Sequence, residues 1–207
     1  MRLYLHVGHG KTGSSFLQSW LAQNRSELWR VGCVHYPVAD SDQRARSGGF
    51  SMGNGALLDQ ALKVSDQTQN LNSFWSDLIP QKQDCFPEGV LFSAERWARH
   101  LPRRLEDLMR VADAGGFAQM MIWLVVRDPL DHALSVYGQM VKRHGFSGSL
   151  DDWLKIYDFP NVLLRCLEAF QSQPDRIVLR VDHYGLQRSC LEKCMMDWLA
   201  LPVSSNW

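Results

Sequence analysis

Short apolar runs, separated by polar and glycine-containing segments, recur along the chain. They lie at residues 3–8, 33–36, 89–93, 120–126 and 176–181. Runs of this length that are bounded by turn residues are typical of buried strands. The fourth run, MMIWLVV, is apolar throughout, as expected of a central strand of a parallel sheet, because both of its faces are buried. These runs are therefore predicted to be the strands of one sheet.

Helical periodicity occupies much of the sequence between the runs. Phe16, Leu17, Trp20 and Leu21 would share one apolar face of a helix over residues 14–22. Similar patterns predict helices at residues 103–114, 128–143, 149 onward, 161–172 and 185–200. Strands that alternate with helices predict an α/β fold of three layers, with a mainly parallel central sheet and helices on both faces.

Two of the predicted helices carry explicit start signals. Asp128 has the character of an N-cap and Pro129 that of a first helical residue. Ser149 and Asp152 have the spacing of a capping box. We therefore expect the chain to turn sharply into a helix directly after the strand at 120–126.

One segment departs from this alternation. Residues 40–55 are rich in glycine and poor in apolar residues, which predicts a mobile surface loop that could order over a bound ligand. The chain as a whole has 207 residues and 45% apolar composition, enough for one core. We predict a single domain over residues 1–207 with this loop inside it.

Charge and composition exclude several classes of protein. Lys and Arg together number 22, as do Asp and Glu, so no basic surface indicates a nucleic-acid partner. No apolar run has the length of a membrane helix, and no signal peptide is recognisable at the start. The five cysteines lack metal-ligand spacing, which favours reduced thiols and no bound metal. We expect a cytoplasmic location; the oligomeric state is left open.

The first strand leads into a glycine-containing segment, Gly8 to Ser15, and then into a helix. Backbone N–H groups of such a turn converge on one point, where the helix dipole adds positive potential. Lys11 brings a full charge, and Ser14 and Ser15 bring short hydroxyls. A Walker A loop would need a glycine at position 5, where Leu5 stands. An anion-binding loop is predicted; a tight connection with a solvated lysine is the alternative.

A second candidate anion site follows the strand at 120–126. Arg127 would lie at the carboxyl end of that strand, where open α/β sheets bind ligands. Its planar guanidinium suits a phosphate. Ser135 would lie two turns along the following helix and face the same anion. Alone, an arginine at the end of a strand is more often half of a surface ion pair.

The two segments together, Lys11-Thr-Gly-Ser-Ser15 and Arg127-Asp-Pro with Ser135, resemble the sulfotransferases that use 3′-phosphoadenosine 5′-phosphosulfate (PAPS). The resemblance implies a P-loop-like sulfotransferase fold and PAPS as co-substrate, without a metal. It also implies that the 5′-phosphosulfate binds to the first segment, formed by Gly10, Lys11, Thr12, Gly13, Ser14 and Ser15. Arg127 and Ser135, eight residues apart as in that family, would bind the 3′-phosphate.

The same resemblance suggests catalytic residues. Lys11 would stabilise the charge that develops on the departing phosphate. Glu95, in the segment after strand 89–93, stands where the family places the general base for a hydroxyl or amine acceptor. Glu95 could instead be a surface acid that pairs with a neighbouring arginine. His9 and His132 are the other candidate bases.

Some features of the sequence keep other functions open. A tyrosine–glutamate pair common in the family is replaced near the last strand by Arg180-Val-Asp182-His183, and the sequence ends soon after its last predicted helix. A P-loop kinase with Asp128 as a magnesium ligand is one alternative, and a non-catalytic nucleotide-binding module is another. The acceptor could be a sugar, a lipid, a peptide or a small metabolite.

Overall fold

The centre of the molecule is a parallel sheet. The structure is a computed structural model that describes residues 1–46, 53–80 and 86–202. The strands are β1 (Arg2–Gly8), β2 (Val34–His35), β3 (Gly89–Ala94), β4 (Gln119–Val126) and β5 (Ile177–His183). Their order across the sheet is β2-β3-β1-β4-β5, and every pair is parallel. The predicted α/β class is confirmed, and β4 is an internal strand with a parallel neighbour on each side, as its apolar sequence predicts.

Helices connect the strands and cover both faces of the sheet. Within the described residues they are α1 (Ser14–Gln23), α2 (Arg25–Gly32), α3 (Asp42–Arg46), α4 (Gly55–Lys63), α5 (Thr68–Leu78), α6 (Trp97–His100), α7 (Leu105–Ala114), α8 (Pro129–His144), α9 (Leu150–Ile156), α10 (Phe159–Gln171), α11 (Tyr184–Gln187) and α12 (Leu191–Trp198). The predicted caps are confirmed. Asp128 accepts hydrogen bonds from the first turn of α8, and Ser149 and Asp152 form the capping box of α9.

The alternation of side chains along β1 divides the core into two clusters. Leu3 and Leu5 face one cluster, which α4, α5, α7 and α10 complete. Tyr4 faces the other, together with Trp123 of β4, and α1 and α12 cover it. Residues of both clusters are almost fully buried. Helices pack on both faces of the sheet. The parallel pairing of β1 with β3 and with β4 brings the carboxyl ends of these three strands together at one edge.

Some boundaries differ from the sequence-based expectation. The helix predicted over residues 185–200 is two helices, α11 and α12, with a turn before Leu191. The turn lets Tyr184 and Leu191 both pack against Gly13. The strand predicted over 33–36 has only two residues, because Cys33 adopts a left-handed conformation with φ 49° that ends α2.

The segment predicted as a mobile loop, residues 40–55, is partly helical. Residues 42–46 form α3, and Asp42 is buried in an ion pair with Arg25 at 2.5 Å. Ser41 donates a hydrogen bond to the carbonyl of Gly53 at 2.9 Å, so the two ends of the segment are joined. Residues 47–52 lie outside the described residues, and the expectation that this segment orders over a ligand stays a prediction.

The structure also describes the two features on which the sequence analysis based its exclusions, namely the length of the apolar helices and the state of the cysteines. No helix in the described parts of the chain is both long and apolar enough to cross a membrane. The cysteines that the structure describes are free thiols, including Cys190 and Cys194, whose sulfur atoms lie 4.0 Å apart. Cys85 lies outside the described residues.

Candidate active site

The loop between β1 and α1, which the sequence predicts to bind an anion, turns sharply into the N-terminus of α1. Gly13 precedes α1 with φ 78° and offers no side chain to cap the helix, so the first backbone N–H groups of α1 are available to a ligand. A Cβ atom at Gly13 would lie 2.5 Å from Leu191 Cδ1, so both space and backbone angle require glycine there. The predicted loop is therefore a real turn into a helix N-terminus.

Lys11 is held in a strained conformation inside this loop. Its φ of 63° is left-handed, which is costly for a residue with a side chain and is often found at functional sites. The ammonium group makes no ion pair or hydrogen bond with the described residues. Thr12 and Ser14 beside it are buried, with their hydroxyl oxygens 3.5 Å apart, and Ser15 is half-buried. The loop thus combines a free cation with short hydroxyl groups.

The two predicted anion segments are in direct contact. Arg127, at the end of β4, donates from Nη1 to the carbonyl of Lys11 at 3.4 Å, and its guanidinium lies 5.7 Å from the ring centre of Tyr184. Ser135 is half-buried in the second turn of α8. Segments that are 116 positions apart in sequence therefore meet at the carboxyl edge of the sheet.

His9 connects the two segments, a role that the sequence-based analysis missed. Its Nε2 accepts a hydrogen bond from the backbone N–H of Arg127 at 3.3 Å. The proton must then be on Nδ1, which lies 3.3 Å from the carbonyl of Gly10 and donates to it. Burial, with a smaller effect of His132, lowers the pKa of His9 to about 3. His9 is thus a neutral bridge with both ring nitrogens in use.

His132 lies beside His9 and has one nitrogen unused. The two rings are 4.3 Å apart, and Nδ1 of His132 lies 2.7 Å from the hydroxyl of Tyr157. Its Nε2 is buried near the backbone of Gly10 but makes no hydrogen bond that meets ordinary distance and angle limits. Burial and then the charge of Arg127 lower the pKa of His132 to about 4. A neutral imidazole therefore faces the loop.

Glu95 lies against the same loop. It directly follows β3, the neighbour of β1 in the sheet, and its Oε1 would be 2.9 Å from a Cβ atom on Gly10. The two arginines that could have neutralised it are engaged elsewhere. Arg96 pairs with Asp59 at 2.5 Å, and Arg99 lies over the ring of Phe159 at 4.6 Å. The alternative of a surface ion pair for Glu95 is therefore not what the described residues form.

A cavity opens between these groups. It has a volume of about 270 Å³ and is lined by Gly10, Lys11, Glu95, Arg96, Ala98, Arg99, His132, Val136, Gln139, Met140 and Phe159. A larger hollow of about 600 Å³ is lined by other residues, among them Trp29 and His35. That hollow contains neither anion segment, whereas the smaller cavity joins the loop lysine to the free carboxylate. We therefore take the smaller cavity as the candidate site.

Comparison with known proteins gives the fold a name. No family model matches the chain, and no curated protein matches its sequence. Among solved structures, the sulfotransferase domain from the curacin biosynthetic pathway matches with a TM-score of 0.51 and 14% identity, over 98% of this chain and 75% of that chain. The chain has the sulfotransferase fold.

Two other solved structures are similar at lower TM-scores. A sulfotransferase from Alicyclobacillus acidocaldarius matches at 0.47 with 15% identity, over 99% of this chain and 82% of that chain. Retinol dehydratase, in complex with androsterone and the inactive cofactor PAP (3′-phosphoadenosine 5′-phosphate), matches at 0.40 with 11% identity, over 98% of this chain and 60% of that chain.

In this sulfotransferase fold, the segment from Arg180 to His183, which stands in place of a tyrosine–glutamate pair common in the family, has a structural role. Asp182 accepts hydrogen bonds from the indole of Trp123 at 2.8 Å and from Arg180 at 2.7 Å. Arg180 also pairs with Asp197 of α12 at 2.6 Å. These side chains therefore join β4, β5 and α12, and it is Tyr184, the next residue after β5, that contacts the anion segments.

Proposed function

We propose that the protein is a sulfotransferase that moves the sulfuryl group of PAPS to a hydroxyl or amine of an acceptor. The observation that supports this most is the contact between the two anion segments. Arg127 is hydrogen-bonded to the Lys11 carbonyl and, through His9, to the loop. Two adjoining anion sites suit a nucleotide that carries phosphate groups at both its 5′ and 3′ positions.

The residues of the loop fit such a donor. The uncapped N-terminus of α1 and the ammonium of Lys11 would hold the 5′ group, with help from the hydroxyls of Ser14 and Ser15. The guanidinium of Arg127 and the hydroxyl of Ser135 would hold the 3′-phosphate. No metal is required for this arrangement, because Lys11 and Arg127 supply the positive charge.

The chemistry follows from the same placement. PAPS, when bound, supplies a sulfuryl group attached to a phosphate leaving group. Glu95 would take the proton of the acceptor hydroxyl while the new O–S bond forms and the old S–O bond breaks. Lys11 would stabilise the negative charge that grows on the departing phosphate oxygen. The acceptor leaves as a sulfate ester.

One alternative function loses support at Asp128. A kinase would need this carboxylate for magnesium, yet its Oδ1 accepts the backbone N–H groups of Leu130 and Asp131 at 2.9 and 3.0 Å. A non-catalytic module that binds PAP remains a separate hypothesis. It makes the same prediction for binding but predicts no transfer to any acceptor.

Calorimetry with PAP, AMP and Mg-ATP tests the proposal. PAP should bind roughly thirty- to a hundredfold more tightly than AMP, the effect of one charge-assisted contact to the 3′-phosphate. Arg127→Ala should remove most of that difference, whereas Arg143→Ala, an exposed arginine of the same helix region, should not. Equal affinity for PAP and AMP, or tighter binding of Mg-ATP, would contradict the proposal.

A further inference from the structure

The cavity beside Gly10 differs from one end to the other. Lys11, Glu95 and His132 form one end of the cavity, next to the segment from Gly8 to Ser15, here called the anion loop. The remaining wall is largely apolar. We propose that this cavity binds the acceptor and selects a small alcohol or phenol with an apolar body over a sugar or an amine. This inference rests on the proposed sulfuryl transfer.

The polar end suits a single hydroxyl group. The carboxylate of Glu95 has no partner among the described residues, and it lies close enough to Gly10 to face the anion loop. On the other side, the Nε2 atom of His132 is buried and unpaired in a side chain that is 1% exposed. A hydroxyl is both donor and acceptor, so it can give its proton to Glu95 while Nε2–H of His132 donates to its oxygen.

The tautomer required for this arrangement agrees with the surroundings of His132. The phenol of Tyr157 lies 2.7 Å from Nδ1, and burial keeps its pKa high, at about 12, so it remains a donor. When Tyr157 donates to Nδ1, the imidazole proton is on Nε2, which points to the loop side. His132 would therefore orient the acceptor oxygen, and Glu95 would take its proton.

The rest of the wall disfavours a sugar. Ala98, Val136, Met140 and Phe159 line it, and Gln139 is the one uncharged side chain on the wall that offers hydrogen-bonding groups within the described residues. Arg99 and Gln139 could bond some hydroxyls of a sugar, but the hydroxyls left against the apolar side chains would have no partner, which is costly. An alkyl or aryl body loses no hydrogen bonds and gains contact with the aromatic and sulfur-containing side chains.

Charge disfavours an amine. With the donor bound, Lys11 is paired with its 5′ group, so Arg99 is the cation of the lining that has no carboxylate partner among the described residues, and Glu95 is the unpaired acid. Arg96 contributes little net charge because Asp59 neutralises it. A protonated amine would meet Arg99 as well as Glu95, and it has no lone pair to accept a hydrogen bond from Nε2–H of His132, whereas a neutral hydroxyl can accept that bond.

Size restricts the acceptor further. A volume of about 270 Å³ is close to the lower limit of the roughly 300–1,000 Å³ usual for small-molecule sites. The cavity therefore has room for one substituted ring or a short chain. A peptide or an oligosaccharide would have to leave most of its length outside it.

The test compares three small ligands on the PAP-saturated protein by ligand-observed NMR and calorimetry. Benzyl alcohol and benzylamine share one ring and differ in the reacting group, and methyl glucoside has hydroxyls on a polar body. Benzyl alcohol should bind roughly tenfold or more tightly than either of the others. Equal or tighter binding of benzylamine or methyl glucoside would overturn the inference.

A pair of variants on one helix locates the binding. Val136→Phe fills the cavity and should reduce benzyl alcohol binding roughly tenfold or more, while Val141→Phe changes an exposed position of α8 and should not. PAP affinity and thermal melting of both variants show that they are folded; if Val136→Phe unfolds, Met140→Phe takes its place. Benzyl alcohol binding that survives every cavity-filling variant would place the acceptor elsewhere.

The failure of the inference can be distinguished from failure of the proposed function. Sulfuryl transfer from PAPS to the sugar or the amine, but not to benzyl alcohol, would overturn the inference and leave the sulfotransferase proposal intact. If no ligand is sulfated while benzyl alcohol still binds in a Val136-dependent way, the proposed function fails and the selectivity of the cavity stands.

Discussion

At the residue scale, His9 joins the two predicted anion segments through hydrogen bonds. One ring nitrogen accepts from the backbone of Arg127, and the other donates to the carbonyl of Gly10. Leucine would fill the space but leave both backbone groups without a partner. Because those backbone groups belong to different anion segments, their loss should change the relative position of the two segments as well as the stability of the fold.

We predict that His9→Leu lowers PAP affinity more than AMP affinity. One or two lost hydrogen bonds of about 1 kcal/mol each should weaken PAP binding roughly five- to thirtyfold. His9→Gln can keep one of the hydrogen bonds, so its PAP affinity should lie between those of His9→Leu and the wild type. The measurement is calorimetry with both nucleotides, with His100→Leu, an exposed histidine, as control. An unchanged PAP to AMP ratio alongside reduced stability would mean that His9 serves the fold alone.

Substitutions at Lys11 and Glu95 should both lower turnover, but they should differ in their effect on PAP affinity. Lys11→Ala removes the charge that would meet the leaving phosphate in the proposed reaction, so turnover should fall roughly a hundredfold or more, and PAP affinity should fall as well. Glu95→Gln keeps the shape of the side chain and should lower turnover by about 10²–10⁴ with PAP affinity nearly unchanged. Steady-state kinetics and PAP calorimetry measure both quantities.

Full activity in Glu95→Gln would contradict its role as base. The search would then move to His132, since both nitrogens of His9 are already engaged in hydrogen bonds.

At the scale of secondary-structure elements, local patterns predicted most of what the structure contains. The apolar run at residues 120–126 became β4, because a strand buried on both faces must be apolar along its whole length. The start of α8 was predictable from Asp128 and Pro129, since an N-cap acts on its own first turn. Both signals lie within a few residues of the structure they specify.

Elements that depend on distant contacts were not predictable in this way. The interruption between α11 and α12 is set by the packing of Tyr184 and Leu191 on Gly13, far away in sequence. Helix α3 is tied down by the Arg25–Asp42 ion pair in a segment whose composition indicates a loop. For the same reason the sequence suggested both anion segments but not the bridge that His9 makes between them.

At the scale of the whole molecule, the fold buries three neutral histidines around the carboxyl ends of its strands. His6 forms a hydrogen bond with the hydroxyl of Ser93 at 2.8 Å, His9 lies in the loop between β1 and α1, and the ring of His132, on α8, packs against that of His9. All three are at most 1% exposed. Burial, the largest cause in each case, lowers their pKa values to about 4, about 3 and about 4 respectively.

The sign of the resulting pH effect follows from these values. In the unfolded chain a histidine takes up a proton as the pH falls through about 6.5, whereas the folded protein does not do so until about pH 4 or below. The unfolded state therefore binds more protons between these limits. Stability is complete above about pH 6.5 and is lost progressively as the pH falls towards 4.

We predict that the free energy of unfolding falls by about 1 kcal/mol for each of the three histidines, or about 3 kcal/mol in all, between pH 6.5 and 5.5. Urea denaturation at pH 7.5, 6.5, 5.5 and 4.5 measures it. His6→Gln, which cannot take up a proton, should reduce the slope by about a third, while the exposed His100→Gln should leave it unchanged. A stability that is constant from pH 6.5 to 5 would show that these histidines can be protonated in the folded protein, and the assignment of His9 as a neutral bridge would fail with it.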